Sequence, residues 1–253
     1  MTQRVLITAG AGGIGLAIAK AFVASGARVH IADVNADAVQ QIVQQNPGIT
    51  GSVGDVSKGA DLDVLFKEVQ AQLGGLDVLV NNAGIAGATA PVVEYPLDTW
   101  NAVVGINLTG TFMVTQRAIP LLKKSPAASI IVMSSLAGRF GYPNRVAYST
   151  TKWGLVGFTK TLSLELGPLG ITANSIHPGA VDGPRIQSVF EGRAKVSGRT
   201  VQEEADLALA NQSVKQFINP ADIAALALFL AGPHARTISG QMFPIDGDSK
   251  AAS

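Results

Sequence analysis

Apolar residues follow two alternating rhythms along this chain. Short runs such as Val5-Leu6-Ile7, Val29 to Ala32 around His30, Leu76 to Val80 around Asp77, and Ile130-Ile131-Val132-Met133 recur at intervals. Between them lie longer stretches in which apolar residues return every three or four positions, as in Leu16, Ile18, Ala19, Phe22 and Val23, or Leu155, Val156, Phe158 and Leu162. A short, nearly continuous apolar run is the mark of a strand buried on both faces, and a 3.6-residue rhythm is that of a helix covering it. Strict alternation of the two predicts an α/β chain. Seven strands are expected: residues 5–8, 29–33, 49–53, 76–80, 130–133, 172–176 and 241–245. A long helix is expected over Asp98 to Leu122, weakened around Gly105 to Gly110 by the two glycines that flank Asn107. Another opens near Tyr148, and a third begins at Asn219 with a capping side chain and Pro220 in its first position. Nothing resembles a linker or an internal repeat, so residues 1–248 read as one domain, with 249–253 as a loose tail. His30, a lone polar residue within its run, reads as strand surface.

The first strand runs into Gly10-Ala11-Gly12-Gly13-Ile14-Gly15 and then into an amphipathic helix. Gly10, Gly12 and Gly15 fit the G-x-G-x-x-G spacing of the first βα unit of a dinucleotide-binding fold. There a tight turn lets a pyrophosphate approach the unpaired amides and positive dipole end of the helix. With the strand and helix alternation, this predicts a single doubly wound, Rossmann-like α/β domain: about seven parallel strands with helices on both faces. Asp33 ends the second strand about 20 residues beyond the loop, where a carboxylate accepts bonds from ribose hydroxyls and repels a 2′-phosphate. No Arg or Lys occurs between Arg4 and Lys20, and Val34 follows Asp33. The cofactor expected is NAD.

The chemistry is concentrated between Ser134 and Lys152. Tyr148 and Lys152, four apart, share one face of a helix. A free phenol has a pKa of about 10 and is a poor base at neutral pH. One positive charge at about 4 Å and an effective dielectric of about 20 contributes roughly 4 kcal/mol, or about three pKa units before desolvation. Ser135 lies at the carboxyl end of the fifth strand, where open α/β sheets place their ligands.

With these motifs the chain resembles the classical short-chain dehydrogenase/reductase family, from about Arg4 to Gly247. The resemblance implies catalytic roles for Ser135, Tyr148 and Lys152, with Tyr148 and Lys152 also touching the cofactor. It adds Asn107, read from the residues alone as a kink residue, as a fourth member holding a water that links Lys152 to solvent. It further implies adenine contacts from Asp55-Val56, although Asp55 before Ser57 also reads as a helix cap. Asn82, Ala83 and Gly84 of the N-N-A-G motif fall on the cofactor side, with Asn81 as scaffolding, and Pro178, Gly179 and Val181 beside the nicotinamide carboxamide. The segment 182–217 would be a substrate lid, and the assembly a homotetramer. The family's T-G-x-x-x-G-x-G loop places its first glycine where this chain has Ala9. The implied activity is NAD-dependent hydride transfer to or from a small secondary alcohol or ketone. Two alternatives stand beside it: an acyl-carrier-protein 3-ketoacyl reductase, which would normally use NADPH, and a catalytically silent NAD-sensing or scaffold protein on the same fold.

Composition narrows the partners. A net charge of +1 over 253 residues with no basic cluster speaks against nucleic acid. The absence of cysteine excludes disulfides and thiolate metal sites, and no metal is expected. The first apolar run is too short for a secretion signal and no run reaches about 18 apolar residues, so no membrane span is expected and a cytoplasmic protein is the default. Arg139, Arg145 and Arg185 are the candidate substrate contacts besides Ser135. In the lid, five basic residues (Arg185, Arg193, Lys195, Arg199, Lys215) are matched by five acidic ones (Asp182, Glu191, Glu203, Glu204, Asp206), so counting charges gives no sign of an anionic substrate.

Overall fold

A computed structural model describes residues 2–251. The apolar runs become β1 (Arg4–Thr8), β2 (Arg28–Asp33), β3 (Ile49–Val53), β4 (Val78–Asn81), β5 (Ser129–Met133), β6 (Thr172–Pro178) and β7 (Met242–Ile245). They form one sheet in the order β3-β2-β1-β4-β5-β6-β7, and every neighbouring pair is parallel. The helices are α1 (Gly13–Ala24), α2 (Ala36–Gln45), α3 (Gly59–Leu73), α4 (Leu97–Val104), α5 (Thr111–Leu122), α6 (Val146–Leu166), α7 (Pro184–Ser197), α8 (Val201–Ala210) and α9 (Pro220–Leu230).

Successive residues of a strand face opposite sides, and here both sides are dry. Val5, Ile7, Ile31, Val80 and Ile131 pack under α1 and α9, with Phe22, Ile223 and Leu230 fully buried there. Leu6, Leu79, Ile130 and Val132 pack on the other side against Leu62 and Leu65 of α3, Val114 of α5 and Leu155 of α6. Burial on both faces is why these strands read as unbroken apolar runs. Strand order reverses between β1 and β4, and open parallel sheets bind ligands in the crevice outside the carboxyl ends of the strands at such a point.

The helix expected over Asp98 to Leu122 is α4 and α5 joined by a π turn at Gly105–Gly110. That wider turn carries Asn107, fully buried. The segment 182–217 holds two helices of its own. A reciprocal cap between Thr200 and Glu203 starts α8, and Phe190 is buried beside Phe217, with ring centroids 6.0 Å apart.

Two expectations are corrected. His30 is not strand surface: it is 1% exposed, with Nδ1 2.8 Å from Thr50 Oγ1 and Nε2 2.6 Å from Ser52 Oγ. Ser52 in turn bonds Glu68 of α3, the helix that covers this face. Burial lowers the imidazole pKa to about 4, so His30 is neutral and works as a hydrogen-bonding core residue. Nor is the tail loose from its start. Ser249 is buried, pairs with Gln212 across an antiparallel bridge and donates to the Asp246 carbonyl at 2.7 Å, while the Lys250 amide donates to Asn211 at 3.0 Å. Residues 252–253 lie outside the described residues. Among the described residues no helix is long and apolar enough to cross a membrane.

Candidate active site

A cleft of about 450 Å³ opens at the carboxyl ends of the strands. At one end the glycine loop divides into two kinds of position. A Cβ at Gly10 would lie 2.6 Å from the Ile31 side chain, and one at Gly15 would lie 2.1 Å from the Ala9 carbonyl oxygen. Gly10 therefore seats the loop on β2, and Gly15 seats α1 on the loop. Gly12, Gly13 and Ile14 line the cleft instead, and a Cβ at Gly12 or Gly13 would meet open space. Helix α1 has neither a side-chain cap nor an acid in its first turn. The amides of Gly12 to Gly15 have no hydrogen-bond partner among the described residues. Unpaired amides at the start of a 12-residue helix fit an anion such as a pyrophosphate.

Ala9, standing where the family pattern has its first glycine, adopts φ +50°. In this left-handed region a Cβ costs about 1–2 kcal/mol. Asn82 steadies the turn, since its Nδ2 donates to the Thr8 and Ala9 carbonyls, both at 3.1 Å. Ala9→Gly is expected to stabilise the protein by about 0.5–1 kcal/mol after the glycine's larger unfolded-state entropy is subtracted. A urea midpoint equal to or below that of the unmodified protein would show that the turn is unstrained.

Asp33 also lines the cleft. Its Oδ2 accepts from the Ala11 amide at 3.1 Å and its Oδ1 from the Asn35 amide at 3.2 Å, so the loop and the start of α2 hold the carboxylate in place. Thr8 Oγ1 accepts from the Asn82 and Ala83 amides, both at 3.0 Å, which ties β1 to the end of β4. Asn82 and Gly84 line the cleft, whereas Ala83 packs into the core. Asp55 and Val56 are not among the lining residues. The Asp55 carboxylate takes the Ser57 amide and hydroxyl at 2.9 and 2.7 Å, and Val56 is buried against Gly110. Asn81 donates to Thr115 at 2.9 Å, a structural role.

At the other end of the cleft, Ser135, Tyr148 and Lys152 come together. Ser135 begins a 3-10 turn, Leu136–Gly138, with its hydroxyl accepting from the Ala137 amide at 3.2 Å. Its carbonyl is held by the buried ring of His177, 3.1 Å away, and burial lowers that histidine's pKa to about 4. Tyr148 and Lys152 are one turn apart on α6. Lys152 is 4% exposed, its Nζ donates to the Met133 carbonyl at 2.8 Å and lies 5.6 Å from the Tyr148 ring centroid. Burial opposes ionisation of Tyr148. The Lys152 ammonium, the Arg185 guanidinium, the Ser135 hydroxyl and Arg145 together outweigh it, so the phenol is held below its ordinary pKa of 10.0. Burial also lowers the Lys152 pKa. A phenol with this surrounding is a usable general base and acid.

A family model described as enoyl-(acyl carrier protein) reductase matches residues 9–247. The D-beta-hydroxybutyrate dehydrogenase of Cupriavidus necator is 39% identical over 247 residues, covering 96% of this chain and 95% of that protein. The chain belongs to the classical short-chain dehydrogenase/reductase family. A 3-oxoacyl-(acyl-carrier-protein) reductase, FabG of Thermotoga maritima, is 32% identical over 96% of this chain and 95% of its own. Among solved structures, actinorhodin polyketide ketoreductase with NADPH superposes with a TM-score of 0.93 at 30% identity, over 97% of this chain and 96% of that one. NAD+-bound xylitol dehydrogenase does so with a TM-score of 0.92 at 28% identity, over 97% and 98%.

In this short-chain dehydrogenase/reductase, the Asn107 side chain is wholly engaged by protein. Oδ1 accepts from the Ile85 amide at 2.8 Å, and Nδ2 donates to the Ile85 carbonyl at 3.0 Å and to Thr151 Oγ1 at 3.1 Å. Its backbone carbonyl accepts from Thr111 Oγ1 at 2.8 Å. A Cβ at Gly84 would lie 3.1 Å from Asn107 Oδ1 and 3.6 Å from Lys152 Nζ, so this glycine keeps the space beside both clear. Pro178, Gly179 and Val181 line the cleft, as do Arg145 and Arg185. Arg139 does not: it is paired with Asp246 at 2.5 Å. Sequence reasoning missed Tyr142, which lines the cleft with Arg145 at 5.7 Å and Arg193 at 5.1 Å from its ring centroid. No spacing signal in the sequence marks it. Among the described residues no group of three or more His, Asp or Glu is placed to hold a metal.

Proposed function

We propose that this short-chain dehydrogenase/reductase interconverts a small secondary alcohol and its ketone with NAD as cofactor. The observation that carries the reading is one cleft with two ends: unpaired amides and Asp33 at one, Ser135, Tyr148 and Lys152 at the other. Gly12 to Gly15 would hold the pyrophosphate, Asp33 the adenosine ribose, and Lys152 the nicotinamide ribose. When bound, the nicotinamide accepts hydride in oxidation and donates it in reduction.

The chain's own residues manage the proton and the oxygen. In oxidation the Tyr148 phenolate takes the hydroxyl proton while the Ser135 hydroxyl orients and polarises the same oxygen. Lys152 favours the ionised form of Tyr148, and Asn107 fixes the Ile85 backbone and the Thr151 side chain. In reduction Tyr148 returns the proton. Curated relatives named as hydroxybutyrate and threitol dehydrogenases support an alcohol or ketone substrate. Exposed Phe112, Trp153 and Leu164 on α5 and α6 support self-association as the tetramer that family likeness implies, and light scattering decides that assembly.

Asp33 also decides between cofactors. The cations lining the cleft are Arg145, Lys152 and Arg185; Arg145 and Lys152 border Tyr148 on α6, Arg185 begins α7, and none of them touches Asp33. A 2′-phosphate would meet a fixed carboxylate there with no compensating charge, which weighs against an NADPH-using acyl-carrier-protein reductase. A screen of NADH and NADPH formation across polyols, cyclic alcohols, hydroxy acids and aromatic carbinols is expected to give turnover with NAD at least about 100-fold more efficient than with NADP. Equal kcat/KM for both would end the NAD assignment. Asp33→Ala is expected to narrow the ratio without reversing it, because repulsion is removed and no cation is supplied.

A further inference from the structure

Arg145 is 4% exposed and lines the cleft beside the reacting oxygen, yet it has no anion. Its Nη1 donates to Thr89 Oγ1 at 3.1 Å, and its Nε is buried without a partner. The ion pairs among the described residues are Arg4 with Asp77, Arg117 with Asp63, Arg139 with Asp246 and Arg199 with Glu204; none involves Arg145. A guanidinium cannot shed its proton, so one buried unpaired is strongly unfavourable, and ring faces offset only part of that cost. The ring centroids it faces are those of Tyr142 at 5.7 Å and Tyr148 at 6.0 Å.

Two further guanidiniums approach the same place from α7. Arg185 is exposed and lines the cleft, and its side chain makes no hydrogen bond or ion pair among the described residues. Arg193 stacks on the other neighbour of Arg145, with its Cζ 5.1 Å from the Tyr142 ring centroid. Of the five lid acids that balance these cations in a sequence count, three are engaged elsewhere, and Glu191 is exposed on α7 and does not line the cleft. Glu204 bonds Ser197 and Arg199, Glu203 bonds Thr200, and Asp206 bonds Gln202. The two carboxylates that line the cleft are Asp33, held by backbone amides, and Asp182, which pairs with none of the three arginines.

Building on the dehydrogenase reading above, we propose that the substrate is a short hydroxy acid or the matching keto acid, whose carboxylate is bound by Arg145 with Arg185 closing over it from the lid. Thr89 takes Nη1 and leaves the edge formed by Nε and Nη2, whose two parallel N–H groups match a carboxylate. The ring that Arg145 faces belongs to the residue that handles the proton, so carboxylate and carbinol carbon are separated by a few bonds rather than a long chain. The carboxylate is unchanged in the reaction. The carbinol C–H leaves as hydride to the nicotinamide, and the hydroxyl proton passes to Tyr148.

The test compares short 2- and 3-hydroxy acids with their methyl esters under NAD, in the unmodified enzyme and in Arg145→Met and Arg145→Lys. For at least one pair the acid is expected to exceed its ester in kcat/KM by about 100-fold or more. In Arg145→Met that ratio falls below about tenfold, since any loss of the Arg145 influence on Tyr148 slows acid and ester alike and cancels in the ratio, with NADH affinity within about threefold, and Arg145→Lys lies between. Esters that match the acids in the unmodified enzyme, or a ratio that survives in Arg145→Met, overturn the proposal. So does an equal loss of NADH affinity, which would give the guanidinium to the cofactor. If Arg145→Met does not fold, the unmodified enzyme and Arg145→Lys decide. If no alcohol or ketone reacts with either cofactor, the dehydrogenase reading has failed separately. Malonate then reads the site: binding that weakens at least about tenfold in Arg145→Lys supports it, and no binding overturns it.

Discussion

Tyr148→Phe is expected to lower kcat by at least about 1,000-fold while leaving the NADH dissociation constant within about threefold. The two halves of this result come from different atoms. The ring is part of the packing: it lies under Lys152 at 5.6 Å and beside Arg145 at 6.0 Å, and phenylalanine offers both cations the same face. The oxygen alone receives the stabilising influence of Lys152, Arg185, Ser135 and Arg145 against the opposing cost of burial. Without it no group in the cleft is placed to take the hydroxyl proton, since Lys152 is spent on the Met133 carbonyl and His177 on the Ser135 carbonyl. Stopped-flow fluorescence of NADH binding beside steady-state turnover separates the two quantities. Activity within tenfold of the unmodified enzyme would assign the proton to another group, and a parallel loss of NADH affinity would make the defect structural.

What the sequence made legible follows from what residue spacing can encode. The strands were readable because the sheet is covered on both faces, so residues such as Leu6 and Ile7, which point to opposite sides, are both apolar. The same rule misplaced His30. A polar residue inside an apolar run reads as surface, but its ring is satisfied by Thr50 and Ser52 on the neighbouring strand, and no pattern local to β2 contains those partners. The glycine loop was legible as a loop, while the division of labour within it was not. Gly10 and Gly15 are close-approach positions and Gly12 and Gly13 face open space, yet all four are the same letter. Charge counting along the lid carries no information on where the charges sit. Five cations and five anions cancel along the segment, but three of the anions are taken up by a cap and pairs at α8, whereas Arg185 of the lid and Arg145 from outside it both act on Tyr148. Ser249 misled because a short polar C-terminal stretch looks loose until its bridge to Gln212 is seen.

Lys152→Ala is expected to damage catalysis as severely as loss of the tyrosine oxygen and, unlike it, to move the pH profile and weaken cofactor binding. The Lys152 ammonium is the largest influence lowering the Tyr148 pKa, and burial opposes it. The phenol pKa therefore rises. Oxidation needs the phenolate, so kcat/KM climbs with pH through that pKa, and its acidic limb is expected to shift upward in the variant. At a fixed pH near 7 the ionised fraction falls as that pKa rises, which lowers turnover apart from any loss of cofactor binding. Removing the side chain also strips the Met133 carbonyl of its 2.8 Å donor and the Tyr148 ring of its nearest cation, and both border the region assigned to the nicotinamide ribose. Weaker NADH binding by about tenfold or more should accompany the shift. The pH profile distinguishes the two roles. Lost affinity with an unmoved acidic limb would leave Lys152 as a cofactor ligand and require Arg185 or Arg145 to set the tyrosine, whereas a moved limb with full affinity would take the ribose contact away from it.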